Sequence, residues 1–160
     1  EKVNIVCHSF GGRVALLFAS EFPDKLEKLV LVDSAGIKPK FNLIKAVKIL
    51  RYKILKKLKS MGLTKKDLSN FGSSDYKAMP EQLKPVFSRI VNKDLTRESK
   101  KIKVPTLIIW GRDDKDTPIY MAKKLHKNIE DSAIIMLEGG HFAYLNNADK
   151  FAIIVKEFLK

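Results

Sequence analysis

Apolar residues in this chain fall into two patterns that occupy different stretches of the sequence. Short, mainly apolar runs, "VNIV" at 3–6, "LEKLVLVD" at 26–33, ending at Asp33, "VPTLIIWG" at 104–111 and "SAIIML" at 132–137, predict four strands. Between and after them the spacing becomes helical. Val14, Leu17 and Phe18 share one face of "GGRVALLFASEF", which Pro23-Asp24 breaks. "PIYMAKKLHKNI" carries Pro118 near its first turn, and "ADKFAIIVKEFLK" closes the chain as a further helix. Strands without polar alternation belong to a parallel sheet covered on both faces, so four of them separated by helices predict an α/β fold.

The stretch from 37 to 103 contains no convincing strand. "NLIKAVKILRYKILKKLKSMG" puts Leu43, Val47, Leu50, Ile54, Leu58 and Met61 on one helical face, with Lys45, Lys48, Lys53, Lys56 and Lys59 over much of the rest. A second helix is expected from Pro80 to about Val91, bent or shortened by Pro85. The predicted organisation is a core of residues 1–36 and 104–160, interrupted by a helical insertion at 37–103.

Charge sharpens that division. The chain carries a net charge of +13, and residues 37–103 hold 19 Lys plus Arg against 5 Asp plus Glu. Basicity is therefore a property of the insertion and not of the core. It fits a solvated face first. A basic amphipathic helix on anionic lipid is a second reading, and nucleic-acid binding is disfavoured because no recognition module or aromatic interleaving accompanies the lysines. The longest apolar run is far short of the ~20 residues a membrane span needs. A lone cysteine, Cys7, excludes an internal disulfide framework and fits a reducing, cytoplasmic setting.

Three short segments carry candidate chemistry. "CHSFGG" follows the first strand and opens a helix, the context in which a serine is presented on a sharp turn with its hydroxyl exposed. Cys7 and Gly11 are the small residues two before and two after Ser9, cysteine standing where glycine is usual. Serine needs a base to take its proton, and the base needs a third group to orient it. "IIWGRDDKDTP" places Asp113, Asp114 and Asp116 after the third strand, and "LEGGHFAY" places His141 after the fourth. Asp33 also ends a strand. His8 is read as support packing and His126 as a solvated residue on a lysine-rich helix.

With its "HSFGG", "VPTLIIWGRDD" and "GGHF" segments in this order, the chain resembles the α/β-hydrolase superfamily, in particular its cap-bearing esterase and carbon–carbon hydrolase branch. The resemblance implies Ser9 as nucleophile, His141 as general base and Asp114 as the acid, three residues after Gly111. Asp33 is then structural, and Asp116 is placed to cap the helix that follows. The backbone N–H of Phe10 would supply one oxyanion-hole donor. The insertion would be a cap with its apolar stripes toward the pocket.

The implied reaction is hydrolysis of a small or medium apolar carboxylic ester through an acyl-enzyme. Carbon–carbon bond hydrolysis of a ketone substrate and acyl transfer are variants on the same residues, and an inactive fold serving as an interaction module is the non-catalytic alternative. Neither a cofactor motif nor metal-ligand spacing is visible. Glu1 and a core strand within three residues of it predict an N-terminally truncated chain. Its second oxyanion donor would lie upstream, and its first strand would have an open edge, so the chain by itself is expected to be inactive or poorly folded.

Overall fold

The computed structural model describes residues 1–40, 43–64 and 79–160. Its contacts divide into two compact units, Glu1–Lys38 with Lys93–Lys160, and Pro39–Asn92.

In the larger unit, β1 (Val3–His8), β2 (Leu26–Val32), β3 (Thr106–Gly111) and β4 (Ser132–Leu137) form one sheet in the order β1-β2-β3-β4. Every pairing is parallel, as the unalternated apolar runs require. Helix α1 (Gly11–Glu21) and a 3₁₀ turn at Pro23–Lys25 connect β1 to β2.

Side chains alternate across the strands, so two apolar layers form. Leu29, Leu31, Ile108 and Trp110 pack with Leu16 and Ala19 of α1, and with Met121, Ala122 and Leu125 of the helix between β3 and β4. Val30, Val32, Leu107 and Ile109 face the other way, against Phe151, Ile154, Val155 and Phe158 of the closing helix.

The chain re-enters this unit at Lys93, eleven residues before the boundary expected from sequence. Leu95 and Ile102 are each 1% exposed and join the first apolar layer. The re-entry is fastened at the point where the chain left: the Leu95 N–H donates to the Gly36 carbonyl at 2.9 Å, and the Lys38 N–H to Asp94 Oδ1 at 3.3 Å. Buried Arg13 adds a hydrogen bond from Nη1 to the Lys93 carbonyl at 2.7 Å. A charge run hides this return from a reading of composition, because Lys93, Arg97, Lys100, Lys101 and Lys103 surround the two core residues.

In the smaller unit, α2 spans Leu43–Ser60 and α3 spans Lys84–Asn92. Gly62, with φ 74°, ends the first: its N–H donates to the Lys59 carbonyl at 3.1 Å, and the Leu63 N–H to the Leu58 carbonyl at 2.9 Å. Only glycine takes that left-handed turn without strain. Pro85 sits in the first turn of α3, where its missing N–H costs nothing, so it starts the helix instead of bending it. Lys45 lies among residues 44–46, whose side chains fall outside the described set. No helix among the described residues is long and apolar enough to cross a membrane.

Returning to the larger unit, α4 (Thr96–Ser99) precedes β3, α5 (Tyr120–Asn128) links β3 to β4, and α6 (Ala143–Asn146) and α7 (Ala148–Leu159) follow β4.

Candidate active site

The turn between β1 and α1 forces Ser9 to φ 49°, a strained backbone for a residue with a side chain. Three backbone hydrogen bonds hold it there. Ser9 N–H donates to the Val32 carbonyl at 3.1 Å, and the Ser9 carbonyl accepts from Gly12 at 3.0 Å and Ala35 at 2.9 Å.

Glycines at 11 and 12 have unequal roles. A Cβ on Gly11 would stand 3.4 Å from Cys7 Cβ, an ordinary contact. A Cβ on Gly12 would stand 1.7 Å from Ser34 Oγ and 2.7 Å from its Cβ, so Gly12 is the position that lets α1 approach the end of β2. Cys7 fits without opening the turn. Its thiol reaches the Val30 carbonyl at 3.5 Å, and burial pushes its pKa up to about 12.

The loop after β3 is closed by its own side chains. Asp114 Oδ1 accepts from the N–H groups of Asp116 at 2.8 Å and Thr117 at 2.9 Å. Asp114, and not Asp116, thus satisfies the backbone of this turn. Asp116 makes no capping bond to α5, which begins only at Tyr120. Buried Trp110 donates its indole N–H to the Thr117 carbonyl at 2.6 Å and fixes the far side of the loop.

The loop after β4 packs against this one at Gly111, where a Cβ would stand 2.2 Å from the Gly140 carbonyl oxygen. The Asp113 N–H donates to the Gly139 carbonyl at 2.9 Å, and Gly139 itself holds φ 119°.

These two loops and the serine turn bring three of the expected residues into one hydrogen-bonded line. Ser9 Oγ lies 2.8 Å from His141 Nε2, and His141 Nδ1 lies 2.9 Å from Asp114 Oδ2. A carboxylate accepts, so the Nδ1 partner requires a proton on that nitrogen and leaves Nε2 free to accept from the serine hydroxyl. Burial acts to raise the Asp114 pKa. Hydrogen bonds from His141, the Thr117 hydroxyl and the Thr117 N–H outweigh it and hold the carboxyl below the ordinary range.

Two further residues complete the cluster, one of them invisible to motif reading. Thr117 Oγ1 lies 2.6 Å from Asp114 Oδ2 and 3.0 Å from the Asp33 carbonyl, and donates its single proton to one of them at a time. Asp33, 1% exposed at φ 42°, accepts the Gly111 N–H on Oδ1 at 2.8 Å. Burial first, and then the neighbouring Asp114 charge, raise its pKa to about 7 against the opposing Gly111 hydrogen bond. Burial thus favours the protonated form of Asp33, whereas its hydrogen bonds favour the ionised form of Asp114. Asp33 makes no hydrogen bond to His141, so its contacts are those of a support to the Asp114 loop.

Phe10 stands at the amino end of α1 with helical backbone angles. Its N–H follows directly on the Ser9 turn. His8 turns its ring toward the 141–144 segment. His126 is exposed and pairs with Ser132 Oγ at 2.9 Å. The grouping of possible metal donors among the described residues is Asp114, Asp116 and His141, within 4.8 Å of one another. Asp114 and His141 already spend those atoms on each other and on the loop backbone.

Comparison with known proteins finds hydrolases. A family model described as alpha/beta hydrolase fold matches residues 1–61. The chain is 29% identical to a proline iminopeptidase of Saccharolobus solfataricus, over 99% of this chain and 62% of that protein. It is 30% identical to a 2-hydroxy-6-oxononadienedioate/2-hydroxy-6-oxononatrienedioate hydrolase of Comamonas testosteroni, over 99% and 63%. Among solved structures, an alpha/beta hydrolase enzyme from the metagenome of Mar Chica lagoon sediments superposes with a TM-score of 0.66 at 23% identity, over 99% of this chain and 61% of that one. The chain thus spans less than two thirds of the length of the curated relatives it matches.

Proposed function

We propose that the chain is a member of the α/β-hydrolase superfamily, and from that premise that it carries the nucleophile, base and acid of a serine hydrolase; the family model over residues 1–61 and the similarity to known hydrolases support this. The observation that supports this reading most directly is the unbroken line Ser9–His141–Asp114, with spacings of 2.8 and 2.9 Å. In this reading Ser9 Oγ attacks a carbonyl carbon while His141 Nε2 takes the hydroxyl proton. Asp114, kept ionised, stabilises the imidazolium that forms. The oxyanion of the tetrahedral intermediate rests on the Phe10 N–H at the positive end of α1. His141 then returns the proton to the leaving group, and a water activated by the same nitrogen releases the acyl group from Ser9.

A carboxylic ester of an apolar acid is the substrate class. Phe10 and Val14 support it, exposed at 41% and 59% beside the serine turn. Hydrolysis of a carbon–carbon bond beside a ketone is the second reading, favoured by the similarity to the Comamonas testosteroni hydrolase. The two share the residues and differ in the leaving group, an alkoxide or a carbanion.

A fluorophosphonate probe tests the reading. Labelling of Ser9 that disappears in Ser9→Ala, together with release of p-nitrophenol from short acyl esters, is the expected result. A folded protein that takes up no probe is the result against it, and would favour the interaction-module alternative. A panel of p-nitrophenyl esters beside a vinylogous diketone separates the two substrate classes.

A further inference from the structure

His8 makes a contact that neither the proposed chemistry nor ordinary packing accounts for. Its Nε2–H donates to the backbone carbonyl of His141 at 2.8 Å, across 133 residues of sequence. The imidazole is also surrounded by rings of the same segment. Its centroid lies 4.8 Å from that of His141, 5.3 Å from Phe142 and 4.8 Å from Tyr144. Tyr144 in turn stacks 5.6 Å from Phe151 of α7, so the cluster is anchored in the second apolar layer.

The base is therefore gripped at two points by two consecutive residues. Ser9 meets the tip of the His141 ring, and His8 meets its backbone. The loop between needs such a grip. Gly139 is at φ 119°, and the flanking glycines give the loop little side-chain packing of its own. Resting on the serine-hydrolase reading, we infer that His8 is a positioning residue for the general base: it clamps the His141 backbone so that Nε2 stays within reach of the Ser9 hydroxyl. A misplacement of about 1 Å is enough to cost roughly a hundred-fold in rate, so the clamp acts on turnover and not on substrate binding.

The clamp works best with His8 neutral. Burial lowers its pKa and the neighbouring His141 ring lowers it further, against the His141 carbonyl bond and the Asp114 charge. Tyr144 is the other titratable side chain in contact with its ring. A neutral ring with its proton on Nε2 keeps the donor and adds no positive charge beside the imidazolium that forms on His141.

Three variants test the inference. His8→Gln places an amide N–H near the Nε2 position, His8→Asn is too short to reach, and His8→Phe keeps the ring without a donor. Amide hydrogen exchange over residues 139–144 is read first, because it needs no activity. Exchange faster than wild type in Asn and Phe, and restored in Gln, is expected. In the Ser9 phosphonylation rate the same variants should fall roughly ten-fold to a hundred-fold, with Gln recovering most of the loss and KM within about two-fold of wild type. Unchanged loop exchange in His8→Asn, or a Gln variant no better than Asn, would overturn the clamp. A wild-type protein that never takes up the probe would instead count against the serine-hydrolase reading, and the exchange result would still decide the role of His8.

Discussion

The Asp33 carboxyl accepts the Gly111 N–H at 2.8 Å, joining the end of β2 to the last residue of β3, where the loop that holds Asp114 begins. The bond lies beneath the proposed triad, and it couples the fold to pH.

Burial raises the folded-state pKa of Asp33 from 3.8 to about 7, so the folded protein retains a proton that the unfolded chain releases across that window. More protons on the folded state mean that this group's contribution to stability falls as pH rises from about 4 to about 7. Asp33→Asn copies the protonated acid, still offers an oxygen to Gly111, and tolerates the positive φ. The variant should be more stable than wild type at pH 8, by about 1–3 kcal/mol, with the gap closing below pH 4. Urea unfolding at both pH values reads it. Parallel curves for the two proteins would show that Asp33 carries no proton.

Asp114→Asn should reduce turnover by roughly three to four orders of magnitude, because an amide N–H facing Nδ1 favours the tautomer that puts the proton on Nε2. Thr117→Val removes one donor and should cost about ten-fold. Ester hydrolysis and probe labelling at pH 8 measure both. Equal effects from the two substitutions would refute the division of roles between them.

Gly12→Ala drives a Cβ into Ser34, and the contact of 2.7 Å with Ser34 Cβ persists for any rotamer of the hydroxyl. A loss of about 1–3 kcal/mol is expected. Adding Ser34→Gly leaves the Ala35 carbonyl at 3.2 Å as the nearest contact, so the double variant should regain part of that loss. Thermal unfolding of the wild type, the two single variants and the double variant makes a complete cycle.

Cys7 should be inert in the native state. Burial holds its thiol at about 12, so at pH 8 almost no thiolate is available for alkylation. Mass spectrometry after iodoacetamide treatment should find Cys7 unmodified in buffer and modified in denaturant. Rapid native labelling would mean that the turn opens.

Much of the fold was legible along the chain. The apolar runs marked the four strands of the sheet, most clearly β2 and β3, which are covered on both faces and cannot hide their composition. "SAIIML" matches β4 residue for residue, and the helical spacing after Ser9 ends within a residue of α1. The candidate site was legible to the extent that each residue sits at the end of a strand. What escaped was local detail set by distant partners. The four-residue helices α4 and α6 are too short for any period to register, and the return of Leu95 and Ile102 to the core was masked by surrounding lysines. Expecting Asp116 to cap α5 was a rule applied correctly to the wrong carboxyl. Asp114 reached the backbone donors first.

The sequence by itself determined the order of strands and helices, the position of a serine on a sharp turn, and an acid and a histidine placed to follow it. These depend on side-chain periodicity and on neighbours a few residues apart. Only the tertiary structure decided how those groups meet. Gly12 is small because of Ser34, Gly111 because of Gly140, and His8 holds the backbone of a residue 133 positions away. Asp33 and Asp114 have the same side chain, and burial with different hydrogen-bond donors drives their protonation apart. A local pattern carries no record of such distances, because they are fixed only when parallel strands are laid side by side and their connecting loops gather at one end of the sheet.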